Sequence, residues 1–217
     1  MDLKLETPPE RLARFDVIIS PQDRALVEER AMEKRRFAQN MRSHKISERT
    51  EEQIQVDGEL PEFAVCKALQ LPYENTNGRF KDYADIGDGI DVRAAYCHNW
   101  KDNFWHDTPC IPIGRPGDVL TSDRIWVGCF VHPSRTRVII LGCMRGNEVK
   151  DYKRGRPSQF GPEVHMVPHH EFHPILLLFG LLHPKQLANY QRLLENHKPW
   201  LGPCDPACGP GFFLRIN

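Results

Sequence analysis

Four side chains of this 217-residue chain have the types and spacing to do chemistry together: Glu62, Asp85, Asp91 and Arg93. In the stretch LPEFAVCKALQL, Glu62, Val65, Cys66 and Leu69 recur at i, i+3, i+4 and i+7, which places them on one face of a helix. Three of the four are apolar, so the face points inward, and a carboxylate on it needs a partner. If the helix begins at Pro61, Glu62 lies in its first turn and offsets the helix dipole. The other reading holds it over a metal. In DYADIGDGIDVRA, an extended chain puts Asp91 and Arg93 on one side and Ile90, Val92 and Ala94 on the other. The glycine-containing turn IGDGI can fold Asp85 back toward Asp91. Two carboxylates at neighbouring strand ends, with a third on a helix, are the hard oxygen donors that Mg²⁺ or Mn²⁺ takes. Read structurally, Asp85 and Asp88 are turn formers and Asp91 with Arg93 is a surface ion pair. Lys67 follows Glu62 by five residues, roughly 500° around a helix, so it leaves that face.

Other groups offer weaker chemistry. His165, His169, His170 and His173 crowd EVHMVPHHEFHP, and Cys204 and Cys208 lie four residues apart near the C-terminus. Zinc would need both sets, but they stand 31 residues apart with a helical pattern between them, unlike the tight ligand pairs of structural zinc sites. The expected cation is therefore Mg²⁺ or Mn²⁺, and the histidines read as hydrogen-bonding members of a polar loop. Tyr96, Trp100, Phe104 and Trp105, with His98 and Lys101, form either a stacking platform for unpaired bases or a patch that packs a loop onto the body. Arg145, Lys150, Lys153, Arg154 and Arg156, interrupted by Glu148 and Asp151, either track a phosphate backbone or are solvated. There is no Gly-rich phosphate loop and no Gly-x-Ser-x-Gly elbow, which argues against an NTPase or a serine hydrolase.

The elements that must position these residues follow from pattern and punctuation. Residues 1–14 read as a loose leader. Phe15 to Ile19 reads as a strand, and Ser20-Pro21 as a helix start leading to about Met41. That helix carries Arg30, Lys34, Arg35, Arg36 and Arg42 among Glu28, Glu29 and Glu33, as a solvated face or a phosphate-contacting one. Residues 43–58 read as a linker, and a second helix spans Pro61 to about Leu71. Strands are expected at Ile90–Ala94, Cys110–Ile113, Arg124–Val131 and Arg137–Leu141, the last two apolar enough to be covered on both faces. A short helix is expected within Gly146–Tyr152, a loop over 153–174 and a last helix over Pro184–His197. This suggests one domain over 15–198, an α/β or α+β sandwich around a central sheet, and a Gly/Pro/Cys-rich tail over 199–217. Lys+Arg and Asp+Glu number 29 each, which argues against a polybasic protein but leaves room for a local basic cleft. The longest apolar run, Ile175 to Leu182, is too short to span a bilayer, and the first residues lack the apolar core of a secretory signal. Seven cysteines, with Cys129 and Cys143 inside apolar runs, fit a reducing cytoplasmic compartment.

The order of these motifs resembles the small phage and prophage proteins of the PD-(D/E)XK nuclease-like superfamily. The resemblance runs through Glu62, Ala64, Lys67 and Leu69 on a helix, Asp85 and Gly87, then Asp91, Val92 and Arg93. It continues through IPIGRPGD, RIWVGCFV, VIILGCMRGNEVK and HMVPHHEFHPI, covering roughly residues 15–176. It implies a restriction-endonuclease-like mixed central sheet flanked by helices, with an N-terminal helix and a C-terminal helical extension. It further implies Asp85 and Asp91 as metal ligands, Glu62 as the third carboxylate and Arg93 in the usual lysine position. The implied activity is metal-dependent phosphodiester hydrolysis on nucleic acid, DNA before RNA, in the host cytoplasm if the chain is phage-encoded, with no membrane partner. Arg93 cannot serve as a base, because a guanidinium is not deprotonated in proteins, but it can neutralise phosphate charge. A catalytically silent relative that binds nucleic acid or a host protein is the alternative.

Overall fold

The computed structural model describes residues 14–38, 51–73, 84–87, 89–96, 110–115, 118–156, 162–183 and 213–216. Strand β1 (Arg14–Ile18) leads into helix α1 (Pro21–Ala38). The turn between them is a reciprocal cap. The Ser20 hydroxyl accepts the Asp23 N–H at 3.1 Å, and the Asp23 carboxylate accepts the Ser20 N–H at 2.9 Å. Pro21 opens the helix, where its missing N–H costs nothing.

Helix α2 spans Glu51–Leu69, so it starts ten residues before the expected Pro61 and absorbs part of the expected linker. Pro61 sits inside it. Interior proline costs about 3 kcal/mol. The flanking turns offset that cost by burying Val56, Leu60, Phe63, Ala64 and Val65. An ion pair also holds the first half of the helix, where Asp57 receives both Arg135 Nε and Arg135 Nη2, the latter at 3.1 Å. Glu62 is therefore a mid-helix residue, and the N-terminal dipole does not account for it. Gln70, at φ 55°, ends the helix, and the Leu71 N–H closes on the Cys66 carbonyl at 2.9 Å.

The rest of the described chain is β2 (Ile90–Tyr96), β3 (Cys110–Ile113), β4 (Ile125–Val131), β5 (Arg137–Arg145) and the short helix α3 (Gly146–Val149). After these come β6 (Arg154–Gly155), β7 (Val164–Pro168), a 3₁₀ turn at His169–Glu171, helix α4 (Ile175–Leu182) and β8 (Phe213–Ile216). The central sheet has the order β2-β4-β5-β1-β8 and is mixed: β2 runs parallel to β4 and β1 to β8, while β4–β5 and β5–β1 are antiparallel. A second, antiparallel sheet has the order β3-β7-β6.

Strands β4 and β5 are covered on both faces, as their unbroken apolar runs predict. Val127, Cys129, Val131, Val138 and Ile140 pack with Leu60, Ala64 and Leu69 on the helical side. Trp126, Phe130, Ile139 and Leu141 pack with Ile111, Ile113 and Val167 of the second sheet. Gly128 sits at the register shift between β4 and β5, and any Cβ there would lie 2.6 Å from the Phe172 ring. Cys66, Cys129 and Cys143 are buried, and burial pushes their thiols up, to about 12 for Cys66 and Cys143.

Two further expectations change. The stretch 153–174 is not all loop: it holds β6, β7 and the 3₁₀ turn. The mixed run VHMVP carries no clean alternation, and its strand character comes from pairing with β3, where Ile111 meets Val167 and Ile113 meets His165. Residues 213–216, expected in a tail outside the domain, pair with β1 as the fifth strand. The leader up to residue 13 and the helix expected at 184–197 lie outside the described residues; of the long loop or hairpin tip expected over 95–109, residues 95 and 96 belong to β2 and the rest lie outside them too. The architecture is α/β, with a mixed sheet faced by helices on one side and by a small sheet on the other. No described helix is long and apolar enough to cross a membrane.

Candidate functional site

The turn before β2 folds back as the IGDGI pattern predicts. Ile86 and Ile90 exchange backbone hydrogen bonds at 2.9 and 3.3 Å, and Gly87 takes φ 55°, which a side chain would resist. Asp88 lies outside the described residues. The fold-back lays Asp85 along β2, where its Oδ2 accepts the Val92 N–H at 2.8 Å. Asp91 and Arg93 leave the strand on the side away from Ile90 and Val92, which are buried in the helical-side core.

Asp91 and Arg93 do not form the simple surface pair. Asp91 is buried, and its Oδ2 lies 3.4 Å from Arg124 Nη1. Arg93 donates Nη2 to Asp118 Oδ1 at 2.6 Å and Nη1 to its neighbour's carbonyl at 3.0 Å, and Nη1 stands 3.7 Å from Asp85 Oδ2. Its guanidinium lies over the Trp126 ring, 4.9 Å from the centroid. Asp118 is itself held: its second oxygen accepts the N–H groups of Gly114 and Arg115, both at 2.9 Å.

Glu62 stands on α2. Lys34 of α1 reaches across to it at 2.9 Å and also pairs with Glu59, one turn earlier. Glu59 is buried and takes the Tyr73 hydroxyl at 3.0 Å, while Arg30 stacks on the Tyr73 ring at 3.8 Å. Lys34 and Arg30 thus turn toward α2 and Tyr73, neither as a solvated face nor as phosphate contacts; the side chains of Arg35 and Arg36, and Arg42, lie outside the described residues. Lys67 is far from this pairing and fastens α2 to the start of α1, donating to Asp23 at 2.8 Å and to the Ile18 carbonyl at 3.3 Å.

The electrostatics tie the three expected carboxylates together. Burial, then the negative charges of Asp85 and Glu59, push Glu62 up to about 8 against the pull of Lys34. Burial, then Asp85, push Asp91 up to about 6 against the pull of Arg124 and Arg93. Burial works against the charge on Lys34, yet Glu62 and Glu59 raise it to about 12. Asp85 is the common neighbour of Glu62 and Asp91. Carboxylate oxygens are the hard donors that Mg²⁺ or Mn²⁺ takes. Each carboxylate also has a protein cation beside it: Lys34 for Glu62, Arg93 for Asp85 and Arg124 for Asp91. Among the described residues, no three His, Cys, Asp or Glu side chains stand together as a formed metal-binding group.

Sequence reasoning missed Glu59, Asp118 and Arg124 as members of this site and misread Lys34. Glu59 could have been found, since it shares a helix face with Glu62 three residues on. Asp118 sits in a connecting segment with no periodicity to reveal it, and Arg124 opens the expected strand Arg124–Val131, whose apolar pattern says nothing of its partner. Among the described side chains, His165, His169 and His173 do not converge. His165 Nδ1 pairs with the Tyr152 carbonyl at 2.8 Å, His169 lies against the Phe130 ring, and His173 stands 3.4 Å from Glu148. The His170 side chain, Cys204, Cys208 and the aromatic group Tyr96, Trp100, Phe104 and Trp105 lie outside the described side chains. The chain matches no family model, no curated protein and no solved structure.

Proposed function

We propose that this chain is a divalent-metal-dependent nuclease with a restriction-endonuclease-like core, hydrolysing phosphodiesters in nucleic acid. The observation that carries the reading is the position of Asp85, folded back onto β2, where its charge acts on both Glu62 and Asp91. Asp85, Asp91 and Glu62 would hold Mg²⁺ or Mn²⁺. A cation bound there would lower the pKa of a water and neutralise charge developing on the phosphate. Arg93 supplies fixed positive charge for the scissile phosphate, and Asp118 and the Trp126 face keep its guanidinium oriented. Lys34 and Arg124 hold Glu62 and Asp91 in place.

The test is Mn²⁺ calorimetry on wild type and Asp91→Asn, with cleavage of DNA and RNA followed on the same samples with and without EDTA. Wild type should bind Mn²⁺ and cleave in an EDTA-sensitive manner, and Asp91→Asn should lose both while still unfolding in one cooperative transition. Cleavage at the wild-type rate in Asp91→Asn would sink the assignment. The second reading is a catalytically silent nucleic-acid-binding protein. It is favoured by the ion pairs that already engage each carboxylate, and by the Arg93–Asp118 pair that occupies the guanidinium. Absence of Mn²⁺ binding in wild type would put that reading first.

A further inference from the structure

The segment 145–156 leaves the central sheet at the end of β5, forms α3 and enters β6. It carries five basic residues, Arg145, Lys150, Lys153, Arg154 and Arg156, against two acidic ones. All five basic side chains are exposed. Among the described residues none of the five is in an ion pair, and Arg154 donates to the Glu163 carbonyl at 3.2 Å. Of the two acids, Glu148 is engaged locally. Its Oε2 accepts the Arg145 N–H at 2.8 Å, and its other oxygen lies 3.4 Å from His173. Asp151 stands exposed among the cations.

This strip adjoins the candidate site by two routes. The Gly146 N–H donates to the Arg124 carbonyl at 2.8 Å, and a Cβ on Gly146 would lie 2.7 Å from the Thr121 carbonyl. Helix α3 is thus seated on the segment that carries Asp118 and Arg124. On the other side, Arg154 pairs in register with His165, whose ring lies 2.9 Å from where a Gly114 Cβ would stand. Gly114 donates the N–H that holds Asp118. Strip and site therefore border the same segment, 114–124.

Unpaired lysines and arginines along an exposed edge are the footprint of a polyanion, because they release condensed counterions without first breaking protein ion pairs. We propose that residues 145–156 form a phosphate-tracking surface on which a DNA duplex lies beside the Asp85–Asp91–Arg93 site. Its destination rests on the nuclease reading; the binding itself does not.

The test is fluorescence anisotropy of a labelled DNA duplex in EDTA, over a range of salt. It uses the full chain and a triple variant carrying Lys150→Glu, Lys153→Glu and Arg154→Glu. Wild type should bind at low salt, and the triple variant should bind on the order of 100-fold more weakly. The slope of log K against log salt should shrink by about 3. The corresponding triple Gln variant should fall between the two, and it decides the matter if the Glu variant melts early. Wild-type affinity and slope in the Gln variant would overturn the proposal. So would a wild type that binds phosphatidylserine vesicles but not DNA, or neither. Mn²⁺ calorimetry separates the two claims. A strip variant that loses DNA but keeps Mn²⁺ supports the surface. DNA bound through the strip without any cleavage leaves the surface standing and removes the nuclease reading. EDTA-sensitive cleavage with undiminished DNA binding in the strip variants does the reverse.

Discussion

Around Asp85, every named cation is engaged by a neighbour: Lys34 by Glu59 and Glu62, Arg93 by Asp118 and Asp85, Arg124 by Asp91. Along 145–156, five cations of the same chemical kinds stand in water with no charged partner among the described residues. The difference is one of solvent. Removing a charge from water is costly unless a partner replaces the hydration, so a buried charge must be matched, while a surface charge need not be. Buried charges therefore hold the fold around the site, and exposed ones are left to meet something outside it. Substitutions in the first region should be read out as stability, and in the second as binding.

The largest stability effect is expected for Asp118→Ala. It leaves Arg93 without its closest carboxylate and the Gly114 and Arg115 N–H groups without their acceptor. A loss of about 3 kcal/mol is expected in urea denaturation. A loss below ~0.5 kcal/mol, the range of ordinary surface substitutions, would show that the cluster is not a structural unit.

Next comes the pH dependence of stability. Glu62 and Asp91 are raised in the folded protein, to about 8 and about 6, so the folded chain keeps protons that the unfolded chain releases. Their contribution is full below the ordinary carboxylate range and is lost as pH rises through those values. Urea midpoints should therefore fall between about pH 5 and about pH 9, and Asp85→Asn should flatten the fall. A midpoint that rises over that interval would contradict the crowding of the three carboxylates.

The smallest effect is expected for Lys153→Gln on the strip. Its thermal stability should stay within ~0.5 kcal/mol of wild type. If it destabilises the protein as much as Asp118→Ala does, the contrast between the two regions fails.

Much of the fold was legible before any tertiary contact was considered. The Ser20-Pro21 helix start, the alternation at Ile90–Ala94 and the unbroken apolar runs of β4 and β5 are local signals, and each appears where its pattern places it. Helix α2 was harder, because Pro61 reads as a start. Its preceding ten residues become helical through burial of Val56 and Leu60 and through the Asp57–Arg135 pair, across 78 positions of sequence. Strand β7 was hidden for a similar reason, since its partner β3 lies over fifty residues earlier.

At the site, the sequence by itself determined that Asp85 folds back on β2 and that Asp91 and Arg93 share a side. A glycine turn and the two-residue period of a strand are properties of adjacent residues. Only the tertiary structure decided which charge meets which. Asp118 takes Arg93, Arg124 takes Asp91 and Lys34 takes Glu62 over separations of 25, 33 and 28 residues. Those pairings depend on how the segment 114–124 and helix α1 pack against β2 and α2. Long flexible side chains find partners by distance and burial, and neither quantity is written in local sequence.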